Sequence, residues 1–171
     1  MGAGLHGGFG NTRGRTYKKA NNTFNNTNHQ TVNIHYSRES LISELEGITK
    51  ISNDVADALK KSIIKINVLG DKLFENYLGV DKKVKAMQIG NQLYLRSSSL
   101  SIHSDLVHEG NHALEYLAGV PAEIVGGWEG EIRAYKAERE FQIRTNRPLE
   151  FVNEDDIKVH VWMNYPRRAK K

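Results

Sequence analysis

A chain of 171 residues with no cysteine and a formal charge of +4 has room for one domain with a sizeable core and none for two. The lack of cysteine excludes disulfides and thiolate metal sites, so a metal must be held by histidine and carboxylate, the mixture usual in catalytic centres. No apolar run approaches the roughly 18 residues of a membrane span, and the start lacks the charged-then-apolar layout of a signal peptide.

The basic balance belongs to the two ends. Arg13, Arg15, Lys18 and Lys19 lie in residues 1–37 and Arg167, Arg168, Lys170 and Lys171 in the last five, with no acid in either stretch. The body between them carries 16 bases against 20 acids. A basic groove for nucleic acid is therefore not expected on the folded domain, and only the ends could attract polyanions, loosely and in a salt-dependent way.

Residues 1–37, rich in glycine and asparagine and without apolar periodicity, read as a flexible leader. The folded domain is expected over 38–166, with 167–171 as a basic tail. Ser37 is placed to cap a helix from Arg38 to about Gly47, with Leu41, Ile42 and Leu45 at helical spacing. Ser52 or Asn53 starts a second helix to about Lys61. Ser62 to Leu69 is β-branched and reads as a strand closing on Gly70, and Asp71 to Leu78 as a short helix ending at Gly79. Val84–Ile89 and Gln92–Arg96 flank Gly90-Asn91, a dipeptide suited to a two-residue hairpin turn. Serines 97–99 and Ser101 offer starts for a helix that runs to Gly119. Val120 to Gly130 reads as a loop, Glu131 to about Thr145 as a second long helix, and Asn153 or Asp155 as the cap of a last helix to about Asn164.

The chemistry centres on His108-Glu-Gly-Asn-His112. On a helix, residues four apart lie nearly above one another, so both imidazoles can grip one metal. Glu109 then points about 100° to the side, where it can serve as general base toward a water at the metal without being a ligand. Between Leu106 and Leu114 it is the only charged residue. Two histidines leave zinc (Zn2+) short of a third protein ligand. Glu131, on the next helix, is the leading choice and Glu129 the runner-up; Ala134 and Ala137 would let that helix approach closely. Trp128 and Trp162 read as core or rim aromatics, with cleft lining open for Trp128.

HExxH followed about twenty residues later by a helix-borne glutamate resembles the gluzincin branch of the zincin metallopeptidases. Glu131-Ile-Arg-Ala-Tyr-Lys-Ala-Glu-Arg-Glu-Phe-Gln142 is similar to the second helix of bacterial zincin-like toxin domains. Leu5-His-Gly-Gly-Phe-Gly-Asn-Thr-Arg-Gly14 resembles the junction that precedes the toxin domain of bacterial polymorphic toxins. The resemblance implies an α+β minimal zincin-like fold, with a small, mostly antiparallel sheet packed on the HExxH helix and a second ligand-bearing helix. It implies a zinc metallopeptidase acting on a protein or peptide, delivered or secreted as an effector and countered by an immunity protein. Tyr135 and His160 are then candidates to stabilise the oxyanion, and Glu138 to orient a ligand histidine. A catalytically silent scaffold, or a regulatory peptidase of mobile-element type, is the alternative. Gly110 stands out inside the motif helix, and is read as allowing close approach of the hairpin.

Overall fold

The computed structural model describes residues 5–8 and 36–165. Most of the expected leader, residues 9–35, and the tail from 166 onward lie outside the described residues. Leu5–Gly8 (β1) does not follow the expectation of a leader: it pairs in parallel with Val84–Ile89 (β3). Nothing in a four-residue, glycine-containing piece announces a strand, which arises here by docking on the open edge of β3.

The remaining elements follow the periodicities closely. Arg38–Ser43 (α1) starts at Ser37, whose hydroxyl accepts the Ser40 N–H, and stops short of Gly47. Lys50–Lys60 (α2) is capped by Thr49, not by Ser52 or Asn53. Thr49 and Ser52 each accept the other's backbone N–H, a reciprocal box that satisfies two first-turn donors. Asp71–Leu78 (α3), β3 and Gln92–Arg96 (β4) fall where the sequence places them, and Lys65–Leu69 (β2) begins three residues after the expected Ser62. Gly90 turns the hairpin at a φ of 63°.

The sheet runs β1-β3-β4-β2 and is mixed: β3 and β4 are antiparallel, whereas β2 lies parallel to β4 and β1 parallel to β3. Only one of the three strand pairings is antiparallel, so the sheet is not the mostly antiparallel one expected. Strand alternation sorts the core into two layers. Ala86, Leu93 and Leu95 join the main core with Leu41, Leu45, Val55, Leu59, Leu106, Val107 and Phe141, while Met87 and Tyr94 pack with Phe74 and Leu78 of α3 on the opposite face. Each fully buried leucine in this core contributes about 1.5–3 kcal/mol relative to exposure.

Ile102–Leu117 (α4) is the central helix, with the sheet, α2 and Trp128–Arg144 (α6) packed around it. The stretch expected as a loop from Val120 to Gly130 instead contains a one-turn helix, Ala122–Val125 (α5), and the first turn of α6. Two glycines make that compact turn possible. A Cβ on Gly130 would fall 1.9 Å from the Val125 carbonyl oxygen, and one on Gly127 would fall 2.5 Å from that of Glu123. Glu154–Asn164 (α7), capped by Asn153, packs on α6 through Ile157 and Val161, beside Tyr135 and Phe151. No helix among the described residues is long and apolar enough to cross a membrane. The architecture is a small α+β fold.

Candidate metal centre

The first turn of α4 is tied down before the motif begins. Asp105, fully buried, accepts the Ser99 hydroxyl and, at 2.9 Å, that of Ser101. A carboxylate here also opposes the positive end of the helix dipole. One turn on, His108 and His112 present their rings 5.0 Å apart, centre to centre, on the face turned to α6.

Glu131 enters from the first turn of α6. Its Oε2 lies 3.4 Å from His108 Nε2, and its Oε1 lies 3.6 Å from His112 Nε2. All three side chains have no solvent exposure, and their donor atoms lie within 4.8 Å of one another. A tetrahedral metal with bonds of about 2.0–2.1 Å separates its ligand atoms by roughly 3.4 Å, so the donor set has the right span. It also has the right chemistry. His112 Nε2 and both Glu131 oxygens are buried without a hydrogen-bond partner, a costly state for a carboxylate in an apolar helix pair. The group could hold a metal ion. Glu129, two residues earlier and so on another face of α6, is exposed and takes no part.

Electrostatics in this cage are those of opposed charges out of water. Burial works against the His108 imidazolium, but the Glu131 and Glu138 carboxylates outweigh it and raise its pKa. Burial likewise opposes the Glu131 carboxylate, and the two imidazoles outweigh that and lower it. The same complementarity that favours a proton on His108 favours a cation among the three donors.

The supporting residues follow from helix spacing. Glu138, seven residues after Glu131 and so two turns along the same face, places Oε2 3.1 Å from His108 Nδ1, as expected of an orienting acceptor. Gln142 donates to the other Glu138 oxygen at 3.1 Å. His112 differs, since its Nδ1 is buried without a hydrogen bond. Glu109 is fully buried beside the cage and outside it.

Tyr135 and His160 are brought to the site's flank and not into the cage. The Tyr135 ring packs edge-on against His108 at 4.4 Å, and its hydroxyl reaches His160 Nε2 at 3.2 Å and the Tyr165 hydroxyl at 3.1 Å. Tyr165 was not legible in the sequence. It lies at the end of α7 outside any motif, and comes to the site because Trp128 Nε1 donates to its carbonyl at 2.7 Å. Burial and then the neighbouring Glu131 charge raise its pKa. Trp162 is two-thirds exposed.

Gly110 does not serve the hairpin. Its Cα faces α2, where an added Cβ would meet the Val55 methyls at 2.5 and 2.7 Å. The glycine lets α2 close over the back of the motif helix.

No protein-family model, curated protein or solved structure matches this chain.

Proposed function

We propose that this protein is a zinc metallopeptidase of zincin type, with His108, His112 and Glu131 as the ligands and Glu109 as general base. The observation that carries the reading is a buried cage of two imidazoles and one carboxylate with a second, non-ligand carboxylate beside it. That donor set without thiolates is the catalytic type, with one position left for water or substrate. Zinc, when bound, supplies a Lewis acid that polarises an amide carbonyl and acidifies a water. Glu109 takes the proton of the attacking water as the new C–O bond forms. It returns that proton to the amide nitrogen as the C–N bond breaks, so one amide and one water give an acid and an amine.

The effector role, with delivery to a target cell and an immunity protein as partner, rests on the sequence resemblance at Leu5–Gly14 and along Glu131–Gln142. The complete burial of Glu109 favours, as second reading, a silent domain that keeps the cage without turnover.

One set of variants separates the readings. Glu109→Gln is expected to bind equimolar zinc and to lose proteolysis of a whole-proteome substrate by 100-fold or more, while His112→Ala and Glu131→Ala lose the metal. Folded wild type purified at neutral pH that takes up no zinc would sink both readings; Glu109→Gln that matches wild type in every assay leaves only the silent domain.

A further inference from the structure

Helix α7 is apolar on two sides. Ile157 and Val161 take the inner one, fully buried in the cluster with Tyr135 and Phe151. Val159, Trp162 and Met163 stand on the other and are 55%, 66% and 71% exposed. At about 100° per residue the three fall within an arc of roughly 100°, so they form one ridge and not scattered apolar contacts. The ridge is carried by a fixed helix end, because Trp128 Nε1 donates to the Tyr165 carbonyl at 2.7 Å.

Charge along α7 is sorted by end. Glu154, Asp155 and Asp156 occupy the first turn, where each is already engaged: Glu154 pairs with Lys136 at 2.6 Å, Asp155 pairs with Lys158 at 2.8 Å, and Asp156 accepts the Asn153 N–H. Met163 lies about 12 Å further along the axis, at about 1.5 Å per residue. That exceeds the screening length of about 8 Å at physiological salt, so these acids act weakly at the ridge. Past the other end the sequence continues with Arg167, Arg168, Lys170 and Lys171 and no acid. Arg167 is two residues beyond Tyr165, hence within about 7 Å of it whatever path the chain takes. Tryptophan and aliphatic side chains beside a basic run match the boundary between anionic headgroups and acyl chains. Valine and methionine offer no ring face for a nucleic-acid base to stack on, which favours lipid over a single strand.

We propose that the outer face of α7 docks on the surface of a membrane rich in anionic lipid, with Trp162 and Met163 entering the headgroup boundary and the bases that follow α7 meeting the phosphates. Contact of this kind lies on the bilayer and needs no spanning helix. It uses neither a metal nor Glu109, so it stands apart from the peptidase reading.

The test is sedimentation of the full chain with vesicles at about 0.15 M salt, near the physiological ionic strength. Wild type is expected to bind vesicles of equal parts phosphatidylcholine and phosphatidylglycerol at least tenfold more tightly than vesicles of phosphatidylcholine alone, at about 1 kcal/mol for each base near an anionic surface. Arg167→Gln/Arg168→Gln should weaken that binding about 10- to 30-fold by the same measure. Trp162→Ser/Met163→Ser, which leaves Ile157 and Val161 packed, should weaken it about tenfold, since binding scales with the apolar area inserted. Tryptophan emission should shift to the blue on the mixed vesicles in wild type and stay in place in Trp162→Ser. Three results would each overturn the inference. Wild type does not sediment with the mixed vesicles; Trp162→Ser/Met163→Ser binds them as wild type does, so that the basic run acts alone; or a single-stranded oligonucleotide displaces the vesicles and itself produces the shift, which assigns the ridge to nucleic acid.

Discussion

Glu138 Oε2 sits 3.1 Å from His108 Nδ1, on the opposite side of the ring from Glu131, so one imidazole is held between two carboxylates thirty and twenty-three residues away. An acceptor on Nδ1 sets the tautomer that leaves Nε2 a lone pair for a metal, and holds the ring plane. Glu138→Ala is expected to weaken zinc binding about 10–100-fold, measured by competition with a chelator, while the protein stays folded. Gln142→Ala, which removes the amide that holds Glu138 from behind, should have a smaller effect in the same direction.

A metal held as proposed would compete with a proton for His108. Its raised pKa means that the metal-free protein carries the imidazolium at neutral pH, and the lowered Glu131 means that the carboxylate stays ionised. For a raised histidine the stabilisation is complete below its unfolded value of about 6.5 and is lost as pH rises through the folded one. For a lowered glutamate it is present above the unfolded value near 4.3 and is lost as pH falls through the folded one. The metal-free pair is therefore most stabilising between about pH 4.3 and 6.5, and its contribution declines as pH rises through the neutral range toward the raised His108 value. Zinc uptake at pH 7 should release about one proton from His108, seen by titration calorimetry in two buffers of different ionisation enthalpy, and zinc affinity should fall as the solution is acidified.

Gly110→Ala sets helix propensity against packing. Alanine should favour the helix by about 1 kcal/mol, but its methyl would stand 2.5 Å from a methyl of Val55, a β-branched side chain with little freedom to turn away. A net loss of about 1–3 kcal/mol is expected in denaturant unfolding. The double variant Gly110→Ala/Val55→Ala should recover part of that loss, because the two sites are in contact and their effects do not add.

Gly130→Ala meets backbone and not side chain. The added carbon would lie 1.9 Å from the Val125 carbonyl oxygen, so α5 and the first turn of α6 must separate. A loss of roughly 3 kcal/mol is expected, together with weaker zinc binding, since Glu131 is the next residue. Alanine at Glu129, exposed on another face of the helix, should leave both stability and zinc binding unchanged within about 0.5 kcal/mol.

What the sequence determined by itself is what local periodicity and short-range chemistry control. The i, i+4 spacing of His108 and His112 puts both imidazoles on one face whatever surrounds the helix. The Gly90-Asn91 turn and the alternation of Leu93, Tyr94 and Leu95 define the hairpin and sort its faces. Glu131 and Glu138 share a face because seven residues make nearly two turns. The tertiary structure decided everything that depends on one element meeting another. Leu5–Gly8 is a strand only because β3 offers an unpaired edge. Glu131 completes the candidate cage because α6 begins a turn early, at Trp128, and that start rests on two glycines packed against carbonyl oxygens of the α5 turn. Tyr165 reaches the flank of the cage from a helix whose own sequence carries no motif, because the end of α7 is fastened to Trp128 and Tyr135. Contacts across thirty or more residues leave no periodic trace in the chain, and they place the groups around the candidate metal centre.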